Sequence, residues 1–148
     1  MVMAVAKFER FFRLAASLDV DKDDLKRHND FIGEQLYDLL LTAQGTAKAN
    51  ARDIIEWRDL PLTKGLQETI HEFRALDDEV ELKPVLEQLA TWPPLDATLS
   101  EDTESRLPEV VGGLSLALAR TMKIVDPKVR NPGSELWERT FQIFDLLL

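Results

Sequence analysis

Residues 22 to 51 constrain the fold more than any other stretch. Leu25, Ile32, Leu36, Leu39, Leu40, Ala43 and Ala47 recur there at helical spacing, Phe31, Tyr37 and Leu41 widen the stripe, and no proline interrupts it. At about 1.5 Å per residue such a helix runs some 40 Å, too long for one short neighbour to cover. Another element must cross it.

The flanks are short. Val5 to Leu18 places Val5, Phe8, Phe12 and Ala15 on one face, with Phe11, Leu14 and Leu18 beside them. "LDVDKDD" then breaks the chain, with Asp21 as an N-cap and Asp23 and Asp24 at the positive end of the long helix. After the connector, a helix over about Leu62 to Leu76 carries Leu66, Ile70 and Phe73. "LDDEVELK" reads as a solvated linker, after which the short, long, short order returns. A short apolar stretch spans Leu82 to Trp92 with Val85, Leu86 and Leu89, and "WPPLDATLS" forms a turn. Ser100 caps a long helix reaching Val125, with Val110, Val111, Leu114, Leu118 and Met122 inside it and Pro108 expected to kink or restart it. Beyond "DPKVRNPG", Ser134 is the expected cap of a last helix with Leu136, Trp137, Phe141, Phe144 and Leu148. The halves match in element order rather than in residue identity.

The connector "NARDIIEWRDLPLT" brackets Ile54 and Ile55 between Arg52 and Asp59. Asp59 sits where an N-cap is wanted for the helix holding Leu62 and Leu66, and Arg52 lies near the carbonyl-rich end of the long helix, so a planar guanidinium could bridge the two. The first half resembles the histone fold: "FERFFRLA" looks like that family's first helix, "LDVDKDD" like its first loop and "RDIIEWRDL" like its second-loop signature. The resemblance implies that Arg52 and Asp59 form a structural clamp and that Ile54 or Ile55 pairs with the partner's first loop. Over 82 to 148 it rests on helix lengths, because "KVRNPGSELWERT" has no aspartate in the clamp position. The whole chain is similar to a bacterial family in which two histone folds are fused as an internal pseudodimer. The expected fold class is therefore all-α, one compact domain made of a first half, 1–78, and a second, 79–148. Gly112 and Gly113 then mark the crossing of two long helices, since glycine mid-helix costs about 1 kcal/mol.

Charge limits the partners. The 148 residues carry a formal charge of -9, with 9 basic and 11 acidic side chains in residues 1 to 60 and 9 and 16 in 61 to 148. That field repels polyanions and disfavours DNA. By resemblance Arg10 and Arg13 match basic positions of the histone DNA face, with Lys7, Lys26 and Arg27 nearby; the other reading of Arg10 and Arg13 is a solvated helix face. Asp19, Asp21 and Asp53 erode that surface. With no cysteine, thiolate catalysis and cysteine-based metal sites are excluded. No apolar run approaches a membrane span, "MVMAVAKF" is too short for a signal peptide, and a cytoplasmic home is expected.

Catalytic motifs fail on context. "GLSLA" around Ser115 looks like a nucleophile elbow, but its flanks are helical and both histidines, His28 and His71, precede it. "ETIH", Glu68 to His71, supplies only one of the two motifs a di-metal bundle needs. "TKGLQ" lacks the spacing of a phosphate loop. Trp57, Trp92 and Trp137 suit core or hinge packing. The expectation is a non-enzymatic scaffold, without cofactor or metal, built for protein heterodimerisation. The terminal "FDLLL" should be buried by the fold or by another chain, which makes self-association an expected property. DNA binding by a histone-like first half is the alternative.

Overall fold

The structure, a computed structural model, describes residues 2–89 and 92–148. The side chains of residues 2–4 and 88–89 lie outside that description, Leu89 among them. Apart from one pair of two-residue strands, the described chain is all-α. None of its helices is long and apolar enough to cross a membrane.

Helix α1 (Val2–Ala16) turns Phe8, Phe11 and Phe12 into the core, while Leu14, at the edge of the apolar face, is exposed. Helix α2 (Lys22–Ala49) opens on a capping box: Asp21 accepts the Asp24 backbone N–H, and Asp24 accepts that of Asp21. Its apolar stripe is buried from Leu25 to Ala47; of the residues that widen it, Phe31 is buried, Tyr37 half-buried and Leu41 exposed. Strand β1 (Ile54–Ile55) follows, then a 3-10 turn, Trp57–Asp59.

Helix α3 (Lys64–Val80) begins later than expected. Its cap is Thr63, whose hydroxyl accepts the Leu66 N–H; Asp59 instead accepts the Glu56 N–H and closes the 3-10 turn. Pro61 separates the two stops. The expected solvated linker is mostly helix as well. Val80 and Leu82 are buried, and Glu81 ends α3 in the left-handed region at φ 55, where glycine is usual. The Asp77 carboxylate accepts the N–H groups of Leu82 and Lys83, which starts α4 (Lys83–Leu89) after a two-residue break.

Strand β2 (Thr98–Leu99) leads into α5 (Glu101–Val125), capped by the Ser100 hydroxyl on the Thr103 N–H. Pro108 neither ends nor restarts this helix. It lies buried in the second turn, where the only backbone bond its ring removes is the one Glu104 would accept. Helix α6 (Ser134–Leu147) is capped by Gly133, not Ser134, which is already its first helical residue.

Helix α5 is enclosed. It packs most extensively on α3 and also touches α1, α2, α4 and α6, so its buried residues surround the axis from Leu107 to Met122. The core is one contiguous cluster drawn from α1, α2, α3, α4, α5 and α6. Gly112 and Gly113 serve α3 rather than a crossing of α2 and α5. A Cβ on Gly112 would stand 2.4 Å from the Phe73 ring, and one on Gly113 would stand 2.5 Å from Ile70 Cγ1 and 2.9 Å from its backbone nitrogen. The side chains of α3 occupy the space that larger residues on α5 would fill.

Glycines in the two long helices should therefore respond oppositely to alanine. Gly113→Ala forces backbone apart and is expected to lose about 1–3 kcal/mol, whereas Gly45→Ala, with open space around it, should gain about 0.5–1 kcal/mol. Urea unfolding of both variants measures the two signs.

Candidate functional site

The connector after α2 is organised by one ion pair. Arg52 donates from both terminal nitrogens to Asp59, Nη1 to Oδ2 and Nη2 to Oδ1, each at 2.7 Å, and Nη1 also reaches the Ile54 carbonyl at 3.2 Å. The guanidinium thus holds β1 and the 3-10 turn together and leaves the end of α2 to backbone bonds, including Arg52 N–H to the Ala47 carbonyl. Asp59 is 2% exposed at its side chain and also accepts the Glu56 N–H at 2.8 Å. The Arg52 bond holds its carboxyl down at about 2. Glu56, 3.7 Å from Arg52, lies on the open side.

The clamp fixes β1 for pairing. β1 runs parallel to β2, with Ile54 opposite Thr98 and Ile55 opposite Leu99. Thr103 donates its hydroxyl to the Ile55 carbonyl, so the first turn of α5 is tied to the same backbone. At the other end of the molecule, the Asp19 N–H donates to the Arg130 carbonyl at 2.7 Å, and the two side chains pair at 3.3 Å. Each loop before a long helix therefore meets the loop after the other long helix.

A second polar set crosses the buried seam between α2 and α5. His28 Nε2 lies 2.9 Å from Ser115 Oγ, and the Ser115 hydroxyl donates to the Val111 carbonyl at 2.8 Å. With that proton committed, His28 donates from Nε2 and its Nδ1 carries the lone pair, which has no partner among the described residues. Phe8, Phe12 and Trp137 ring the imidazole, and burial pushes its pKa down to about 3. Trp137 donates Nε1–H to Asp24 at 3.0 Å, and burial raises that carboxyl above the usual range. The 87 residues between His28 and Ser115 keep the pair out of any local motif. Both side chains are fully buried, so the bond pins one helix to the other.

The basic residues of the first half are dispersed among carboxylates and carbonyls. Lys7 donates to the Glu81 carbonyl, Arg13 lies 3.5 Å from Asp19, and Arg27 borders a cleft with Asp19, Asp21, Asp23 and Asp24. Arg10 and Lys26 are exposed. Among the tryptophans, Trp137 is wholly in the core, and Trp57 and Trp92 are partly buried against it.

These helices and tied loops define an all-α protein whose two long helices are joined at both ends. The chain belongs to the family described as a domain of unknown function, DUF1931, whose model matches residues 8–145. It is similar to an uncharacterised protein of Aquifex aeolicus (strain VF5), 29% identical over 139 residues covering 94% of this chain and 81% of that protein. A crystal structure of a protein from Thermus thermophilus is 55% identical and superposes with a TM-score of 0.89 over 100% of both chains. Another, of an Aquifex aeolicus protein, is 28% identical with a TM-score of 0.86, covering 98% of this chain and 95% of that one.

Asp59→Ala leaves the Glu56 N–H and the Arg52 guanidinium without their acceptor and is expected to cost about 1–3 kcal/mol in urea unfolding. Acid should act through His28. The unfolded chain takes this proton near 6.5 and the folded chain only near 3, so stability present above pH 6.5 is lost as pH falls. Between pH 6.5 and 5 the wild type should lose about 2 kcal/mol, and His28→Gln should show a much flatter profile. Asp59 adds a loss of the same sign lower down, between 3.8 and about 2, while the raised Asp24 opposes it. Equal wild-type stability at pH 6.5 and 5 would contradict the buried neutral imidazole.

Proposed function

We propose that residues 1–78 and 79–148 are two histone folds fused as a pseudodimer in one domain, and that the protein is a non-enzymatic cytoplasmic scaffold that engages other proteins. The reciprocal loop contacts carry this reading. In a histone-type handshake each half lends its first loop to the other's second loop. Here β2 meets β1 at one end, and Asp19 meets Arg130 at the other. The helix lengths support it too, with α2 at 28 residues and α5 at 25, each between shorter helices. Arg52 and Asp59 occupy the clamp of the first half; Val129 to Leu136 has no equivalent carboxylate pair.

A protein partner fits the surface better than DNA does. Ile124, Leu146 and Leu147 are 79%, 84% and 72% exposed, so the fold itself does not cover the terminal leucines. Self-association is the simplest way to cover them. The competing reading places duplex DNA across Arg10 and Arg13, with Lys7, Lys26 and Arg27 nearby, and the carboxylates beside Arg13 and Arg27 weaken it.

Residues 1–78 expressed alone should be unfolded or should dimerise, because half a handshake leaves its stripe in water; a folded monomer by scattering and circular dichroism would contradict the fused reading. The full chain should show a mass that rises with concentration in light scattering, and a Leu146→Asp, Leu147→Asp variant should not. Duplex binding that falls steeply with salt and weakens on Arg10→Glu would instead favour DNA.

A further inference from the structure

Three guanidiniums converge on one cleft of this acidic protein. Arg58 from the 3-10 turn, Arg74 from α3 and Arg106 from α5 line a space of about 410 Å³ together with Trp57, Leu62 and Ile70, and no carboxylate is among its described lining residues. Each guanidinium is paired with a carboxylate that does not line the cleft: Glu56 lies 2.6 Å from Arg58 Nε, Asp102 3.1 Å from Arg106 Nε, and Glu109 2.8 Å from Arg74 Nη2. For Arg58 and Arg106 these contacts engage Nε and leave terminal N–H donors for a second acceptor. A guanidinium so tethered is oriented in advance, which lowers the entropy lost on binding.

The remaining lining is Trp57, Leu60, Leu62, Ile70 and the polar Gln67. Arg106 stacks over the Trp57 ring, its Cζ 4.9 Å from the centroid, and Leu62 and Ile70 lie alongside. The volume falls within the range of about 300–1,000 Å³ typical of small-molecule sites. Arginine forks match phosphate oxygens two at a time, and indole and aliphatic groups suit a planar ring.

We propose that this cleft binds a small phosphate-bearing molecule with a planar ring, of mononucleotide size. The assignment is independent of the scaffold reading, because it uses neither the loop pairing nor the exposed leucines.

Calorimetric titration of the full-length protein at low salt, without divalent metal, with ADP, pyrophosphate and adenosine in separate runs, tests it. ADP should bind, pyrophosphate should bind more weakly, and adenosine should give no heat. Arg58→Gln, at a largely exposed side chain, should keep the wild-type melting temperature yet weaken ADP by about tenfold, and Arg106→Gln should weaken it further. Absence of heat with both ADP and pyrophosphate overturns the proposal, as does ADP affinity that Arg58→Gln leaves unchanged. Pyrophosphate affinity equal to that of ADP overturns the part assigned to the Trp57 wall.

Discussion

A 25-residue helix that is apolar around most of its circumference has to be enclosed, and the rest of the molecule is arranged to do it. One face of α5 takes α3 at close range through Gly112 and Gly113, and the others take α1, α2, α4 and α6. Burial of this kind is non-directional and would tolerate several orientations of the surrounding helices. What selects one arrangement is the small number of directional bonds within and around the apolar contacts.

Those bonds sit where a slip would be costly. His28 to Ser115 and Trp137 to Asp24 join α2 to α5 and α6, while Thr103 to Ile55 joins α5 to the strand the Arg52–Asp59 clamp has shaped. A shift of α5 by one turn would leave the buried His28 donor unpaired, a penalty of about 1–3 kcal/mol. The seam is therefore specific as well as greasy. At the molecular surface the same chemistry is looser: most of the acidic excess is exposed, and the basic residues of α1 and early α2 lie among aspartates.

Much of this was legible from residue spacing. Helical periodicity placed α2 and α5, and the short polar side chains Asp21 and Ser100 marked their starts because each has a backbone donor three residues on to accept. Other boundaries were not. Glu81 ends α3 in a left-handed conformation that carries no glycine signal, and Thr63 rather than Asp59 caps α3 because Pro61 lies between them. Pro108 lies past the first turn of α5, and the helix nevertheless runs through it. The glycine pair announced a close approach, but nothing local could say that Phe73 and Ile70 fill it. The His28–Ser115 bond and the arginine cleft join residues far apart in the chain, and single-sequence patterns do not encode such pairs.

Helices α2 and α5 feed one core and are joined by the His28–Ser115 bond, so they should open as one cooperative unit. Native-state hydrogen exchange at the Leu36, Leu40, Leu114 and Leu118 amides measures this directly. All four should exchange only through global opening, with one shared free energy equal to that of urea unfolding. Protection of Leu36 and Leu40 persisting while Leu114 and Leu118 open at lower free energy would show separable halves and contradict it.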